Sequence, residues 1–186
     1  MDILKTLKNK SIFHKALSVF VCAVMILSVF TVSIVARADN VSVWSGNAAT
    51  SFAGGTGESG DPYIIENADQ LYYLVSEVSK ANNADFSKNK HFKITKDIYI
   101  NDVTNGAAVQ TITNPKSWGN GLTAPDTGKK NFFYGTLDGD GHVIYGLYTY
   151  NYVNPGLFGA IANGAVVKNL GFDNLYLKVV QVLPVQ

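Results

Sequence analysis

Asp138 and Asp140, in Asp138-Gly139-Asp140-Gly141, form the close carboxylate pair that a turn of this chain offers to chemistry. Two carboxylates at that spacing have two uses. They can contribute to a Ca²⁺ shell, which takes 6–8 oxygens, or divide into acid and base for glycosidic cleavage. Against both stands the habit of Asp side chains to bond their own turn backbone, and no basic residue lies nearby in sequence to activate an acidic sugar. The pair therefore reads first as turn structure, with Asp138 and Asp140 as weak metal candidates. His142 follows directly, and His91 is the other histidine beyond the N-terminal segment. No H-E-x-x-H zinc signature accompanies them, so His142 reads as a hydrogen-bonding corner residue. No serine sits in a G-x-S-x-G elbow. Gly54-Gly55-Thr56-Gly57 lacks the preceding strand and following helix of a phosphate loop. The expectation is no catalytic residue, no cofactor and no nucleotide.

Tyrosine offers a different chemistry. With Ile144, Leu147 and Thr149 turned inward, Tyr148, Tyr150 and Tyr152 share one outer face at the period of two that strands impose. Exposed tyrosines are amphipathic and lose little entropy on contact, so such a stripe suits a glycan or a protein partner. Tyrosines also simply enrich strands.

The elements that must position these groups are short. Residues 39–65 form a glycine-rich lead-in of loop and strand, ending in Tyr63-Ile64-Ile65. Asn67 is an N-cap candidate with Gln70 three residues on, close to a capping box. Leu71, Leu74, Val75 and Val78 then form the apolar stripe of a helix within residues 66–84. From residue 91 to 186 no other helical period occurs. Short apolar runs alternate with turn residues, and residues 101–131, dominated by Asn, Thr, Gly and Pro, read as a long excursion loop. Strands with regular turn signals give an all-β sandwich, barrel or solenoid. Asn-Gly and Asp-Gly favour hairpins. Ile144-Tyr145-Gly146-Leu147-Tyr148-Thr149 matches Val167-Lys168-Asn169-Leu170-Gly171-Phe172 in pattern, 23 residues on, and favours a solenoid. Spacing alone leaves the two even.

Charge divides the chain. Of 186 residues, 15 are basic and 14 acidic, a balance that excludes an electrostatic nucleic-acid binder. Residues 1–38 hold Lys5, Lys8, Lys10, Lys15 and Arg37 against Asp2 alone. A charge-free run from Ala16 to Ala36 precedes Ala36-Arg37-Ala38. These are the three regions of a secretory signal peptide, with cleavage between Ala38 and Asp39. The apolar run is long, so an uncleaved membrane tether is the alternative. Cys22, the one cysteine, lies in that segment. The chain from Asp39 onward has ten basic and thirteen acidic residues, no cysteine and every glycine and tyrosine; it must fold without disulfides.

The strings Phe133-Tyr134-Gly135-Thr136-Leu137-Asp138-Gly139-Asp140-Gly141-His142-Val143-Ile144, Gly156-Leu157-Phe158-Gly159 and Lys168-Asn169-Leu170-Gly171 resemble the bacterial GLUG-motif proteins. Phe52-Ala53-Gly54-Gly55-Thr56-Gly57, Asp61-Pro62-Tyr63 and Thr95-Lys96-Asp97-Ile98 fit the lead-in of that family, so the resemblance spans roughly residues 44–178. It implies a right-handed parallel β-helix with an N-terminal capping helix. It also implies a setting in large secreted or surface proteins, adhesin-like ones and immunoglobulin A peptidases among them. In that motif Asp138, Gly139, Gly141, His142, Gly156, Leu157, Phe158 and Gly159 are structural. The chain departs from that setting by carrying one clear Gly-Leu-Phe-Gly unit.

The reading that follows is an exported, cell-surface, non-catalytic module for adhesion-like interaction with a host or cell-wall glycan or protein. The alternative is a carbohydrate-active β-helix enzyme, or the N-terminal fragment of a larger surface hydrolase or peptidase. Membrane contact is expected only through the signal segment. The apolar C-terminal run predicts a fragment of a longer product, or self-association through an exposed strand edge.

Overall fold

The computed structural model describes residues 41–80, 85–119, 132–151 and 155–179. The segment expected to be a signal peptide, with its Ala38–Asp39 junction, as well as Tyr152, the later part of the excursion expected over 101–131, and residues 180–186 lie outside the described residues. The described chain is mainly β, with parallel sheets and one α-helix.

Nine short strands are described: β1 (Tyr63–Ile65), β2 (His91–Ile94), β3 (Ile98–Tyr99), β4 (Thr136–Asp138), β5 (Val143–Tyr145), β6 (Tyr148–Asn151), β7 (Val166–Lys168), β8 (Gly171–Asp173) and β9 (Tyr176–Val179). They form three sheets, ordered β1-β2-β4-β7, β3-β5-β8 and β6-β9, and every pairing within them is parallel. The chain visits the sheets cyclically: β4, β5 and β6 lie in the first, second and third, and β7, β8 and β9 repeat the order. The Asp138–Gly141 turn thus joins strands of different sheets. It is not a hairpin turn, despite its Asp-Gly dipeptides.

Register explains the core. Phe92 stands beside Leu137, and Ile98 beside Ile144; all four are buried. Alternate residues of these strands point outward, as the pleat requires. Side chains of like type therefore stack from strand to strand. In β7, β8 and β9 the same inward positions hold Val167, Phe172 and Leu177, which are 37%, 41% and 43% exposed because no described strand lies beyond them.

The apparent 23-residue repeat has a different basis from strand stacking. Ile144 pairs with Phe172, and Tyr148 with Tyr176, so stacked positions are 28 residues apart; Thr136 and Val166 are 30 apart. The matched strings instead align two corners of the cycle. Gly146-Leu147 and Asn169-Leu170 each place a left-handed residue (φ 67° and 52°) before a leucine, and Asn174-Leu175 does so again at φ 52°. Asn and Gly are the residues that adopt this conformation most readily. Gly146 is also pressed against its neighbour: a Cβ there would lie 2.8 Å from the Asn101 carbonyl oxygen.

The helix α1 spans Ala68–Ser79. Asn67 caps it, its Oδ1 accepting from the Gln70 amide at 3.0 Å, while Gln70 Oε1 accepts from the Glu66 amide at 2.8 Å. The reciprocal half of the capping box thus falls one residue early. Ala68, Leu71, Leu74, Val75 and Val78 join Trp44, Ile65 and Phe92 in one core.

The excursion is only partly a loop in character. Residues 101–119 include a 3₁₀ turn (Val109–Thr111) and bury Val103, Val109 and Trp118. Asn101 pins it through Nδ2 to the Lys116 and Gly146 carbonyls, and through Oδ1 to the Lys116 amide. Asn174 pins it again, accepting from the Val109 amide and donating to the Ala107 carbonyl.

Candidate functional site

The corner after β4 gathers the charged candidates. Asp140 adopts φ 51°, and Asp138 Oδ1 accepts from the Asp140 amide at 3.0 Å and from Asn169 Nδ2 at 3.0 Å. Both bonds favour the ionised form, and together with Lys168 they hold the Asp138 carboxyl below the usual aspartate range. Gly139 is required here for proximity: a Cβ would lie 2.4 Å from the Asn169 carbonyl oxygen, in the next pass of the chain. Left-handed φ in this turn belongs to Asp140 and Gly141. The His142 ring nitrogen Nδ1 lies 3.1 Å from Asp97 Oδ1, which also accepts from the Val143 amide at 3.0 Å. His142 is thus tied into a corner between two passes.

Parallel register brings cations to the aspartates that sequence distance conceals. Lys93, Asp138 and Lys168 occupy adjacent positions on β2, β4 and β7. Lys93 Nζ lies 2.9 Å from Asp140 Oδ2, and Lys168 Nζ lies 3.2 Å from Asp138 Oδ2. Lys93, Asp138 and Lys168, with Ser59, His91 and Thr136, line an open groove of about 570 Å³ on the outer face of the first sheet. Each aspartate therefore already has a lysine and a structural duty. Among the described residues, no cluster of three or more His, Cys, Asp or Glu side chains could hold a metal ion.

Gly156-Leu157-Phe158-Gly159 forms a bend that serves packing. Leu157 is buried and its carbonyl accepts from Trp118 Nε1 at 3.1 Å. The Phe158 ring stacks on Phe133 at 4.4 Å and 12°.

The tyrosines stand on the outside. Thr149 is buried between Tyr148 and Tyr150, so the period of two holds along β6. Tyr148 stacks on Tyr176, one pass later, at 5.4 Å and 10°. Tyr150 is 49% exposed, with Lys178 Nζ 5.3 Å from its ring centroid. Tyr99 and Tyr145 stack on the second sheet at 4.6 Å and 10°. Desolvation, with Asp97 and Asp173 nearby, raises the Tyr145 hydroxyl above the usual tyrosine range. Tyr176, Lys178 and the Tyr99–Tyr145 pair escape a reading by local pattern. The register exposes them: a 28-residue offset in the β6–β9 pair sets Tyr176 and Lys178 beside Tyr148 and Tyr150, and the β3–β5 pair sets Tyr99 beside Tyr145.

No family model, no curated protein and no solved structure matches this chain. Its functional reading rests on its own geometry.

Proposed function

We propose that the chain is an exported, non-catalytic module built as a right-handed parallel β-helix, displaying an outer tyrosine face for adhesion-like contact with a host or cell-wall glycan or protein. Cyclic visits to three parallel sheets support the β-helix, since the passes β4–β5–β6 and β7–β8–β9 each add one strand to every sheet. Parallel strands joined by crossovers take the right hand almost without exception. The residues of α1 share the core of the first pass, consistent with a capping role. The GLUG-like strings run through β4, β5 and the start of β8 and hold the Asp138–Gly141 turn, the Asn169 corner and the Gly156–Gly159 bend, which agrees with a structural role for them. Export rests on the charge pattern of residues 1–38; N-terminal sequencing of secreted material would start at Asp39, and retention of Met1 in a membrane fraction would favour the tether.

The observation that carries the interaction reading is the Tyr148, Tyr150, Tyr176 and Lys178 face. Tyr148 and Tyr176 are held by stacking on each other, and the half-exposed Tyr150 ring has Lys178 Nζ over it. Rigid aromatic groups beside a cation suit recognition at small entropic loss. The test is binding of the purified chain to a glycan array and to extracellular-matrix proteins. Loss of the strongest signal in Tyr148→Ser/Tyr150→Ser, with unchanged circular dichroism, is expected. Undiminished binding would remove the tyrosine face from the reading.

The groove of the first sheet favours a second reading, a carbohydrate-active enzyme, because His91, Lys93, Asp138 and Lys168 share one open cleft. The depressed Asp138 carboxyl suits a charge-stabilising role and opposes a general acid at neutral pH. Release of reducing ends from a polysaccharide panel, abolished by Asp138→Asn, would establish that activity.

A further inference from the structure

A second concavity lies away from both surfaces, between the lead-in loop, β1 and α1. It measures about 260 Å³ and is lined by Thr50, Ser51, Phe52, Tyr63, Tyr73 and Phe86, with the Gly54–Gly55 backbone at its rim. We propose that this pocket binds a single neutral pyranose ring. The proposal deepens the reading of the chain as a surface-recognition module and rests on it for the ligand's biological source, not for its chemistry.

The lining carries the argument. Its aromatic groups are already fixed against one another. Phe52 stacks on Tyr63 at 4.7 Å and 28°, meets Tyr73 at 5.1 Å and 57°, and lies 6.4 Å from Phe86. Tyr73 and Phe86 meet edge-on at 6.1 Å. Such rings need no reordering when a ligand arrives, which removes a large part of the usual entropic loss. The lining is polar as well as aromatic, since it includes the hydroxyl residues Thr50 and Ser51 and the backbone of Gly54 and Gly55. A pyranose has that same division: an apolar patch of axial C–H groups that lies well on an aromatic ring, and a rim of hydroxyls that donate and accept.

Charge and size narrow the class. None of the eight lining residues carries Asp, Glu, Lys, Arg or His chemistry, so nothing there would pair an acidic or amino sugar's charge. The volume falls just below the range of about 300–1,000 Å³ typical for drug-sized ligands, which fits one ring better than an extended chain. The loop that forms the rim is set by close backbone contact. A Cβ at Gly55 would lie 1.9 Å from the Pro62 carbonyl oxygen, and one at Gly57 would lie 2.4 Å from the Tyr63 ring. The glycines therefore draw the loop tightly around Tyr63 and shape the pocket mouth.

Gly54 supplies the decisive variant. A Cβ at this position meets nothing within 4 Å, so a large side chain there enters open space at the rim without disturbing the core. Saturation-transfer NMR on the full chain, with the methyl glycosides of glucose, galactose and mannose and with N-acetylglucosamine, is the measurement. At least one probe is expected to receive saturation on its axial C–H protons. Gly54→Trp and Tyr73→Ala should each weaken its apparent affinity at least tenfold, while Tyr148→Ser/Tyr150→Ser leaves it unchanged. Absence of saturation for all four probes, or transfer that survives Gly54→Trp, overturns the pocket. Array binding lost in Tyr148→Ser/Tyr150→Ser, together with no saturation of any of the four probes, would leave the tyrosine-face reading standing while the pocket falls; pyranose saturation without any array partner would do the reverse.

Discussion

Asp138 is the residue whose meaning changes most between its local sequence and its surroundings. In the string Asp-Gly-Asp-Gly it looks like half of a catalytic or metal-binding pair, yet its oxygens serve the Asp140 amide, Asn169 and Lys168. A carboxyl held below its unfolded value stabilises the folded chain above the unfolded pKa of about 3.9, and that stabilisation is lost as pH falls through the folded value. Glu58 and Asp102, lowered by bonds from Lys90 and Thr104, act in the same direction and window. Asp138→Asn should reduce stability at pH 7 by about 1 kcal/mol, since its bonds are partly exposed. It should also flatten the loss of stability below pH 4 measured by urea titration. An unchanged acid slope would contradict the assignment. Gly146 gives a sharper residue-scale outcome. Ala there combines a left-handed backbone, which costs about 1–2 kcal/mol, with the approach to Asn101. Gly146→Ala should lower stability by more than 2 kcal/mol in the same assay, whereas an Ala at Gly54 should have little effect.

At the scale of elements, α1 was legible because everything that specifies it is local. The stripe Leu71, Leu74, Val75, Val78 and the Asn67 cap lie within one window, and all four apolar residues are buried as the stripe requires. Asn67→Ala should cost about 1 kcal/mol through the loss of its bond to the Gln70 amide, read as a shift in the chemical-denaturation midpoint. A neutral result would place the helix start elsewhere. The strands were legible as apolar runs, and their partners were not. Lys93 and Asp140 meet across 47 residues, and Tyr148 and Tyr176 across 28; no window of propensity contains both members of such pairs. The 23-residue similarity illustrates the difficulty. Corners need a left-handed residue and then an apolar plug wherever they occur, so corner chemistry repeats more often than the cycle itself. Trp118 was hidden for a related reason. Its surroundings are polar and turn-rich, and long-range ties return that segment to the core: those of Asn101 and Asn174, and the bonds of Trp118 itself to the Tyr148 and Leu157 carbonyls.

For the molecule from Val41 onward, the graded exposure of stacked columns is the dominant feature. Leu137, Ile144 and Thr149 are fully buried, while their partners Val167, Phe172 and Leu177 are each more than a third exposed. Three strands thus present apolar side chains and one row of backbone groups on the same end. Such an edge invites pairing. If the self-association expected from the sequence uses this end of the described strands, sedimentation velocity should show concentration-dependent growth in mass, reduced by Val167→Lys/Leu177→Lys, because inward-pointing charges block edge pairing. A monomer at all concentrations would contradict it. The Asp138–Gly141 turn links strands of two different parallel sheets, with each strand stacked in parallel on its counterpart one pass away. Long-range backbone NOEs test this most directly. Contacts between Ile144 and Phe172 and between Tyr148 and Tyr176 are expected; antiparallel cross-strand NOEs between Leu137 and Ile144, as in a hairpin, would contradict this topology.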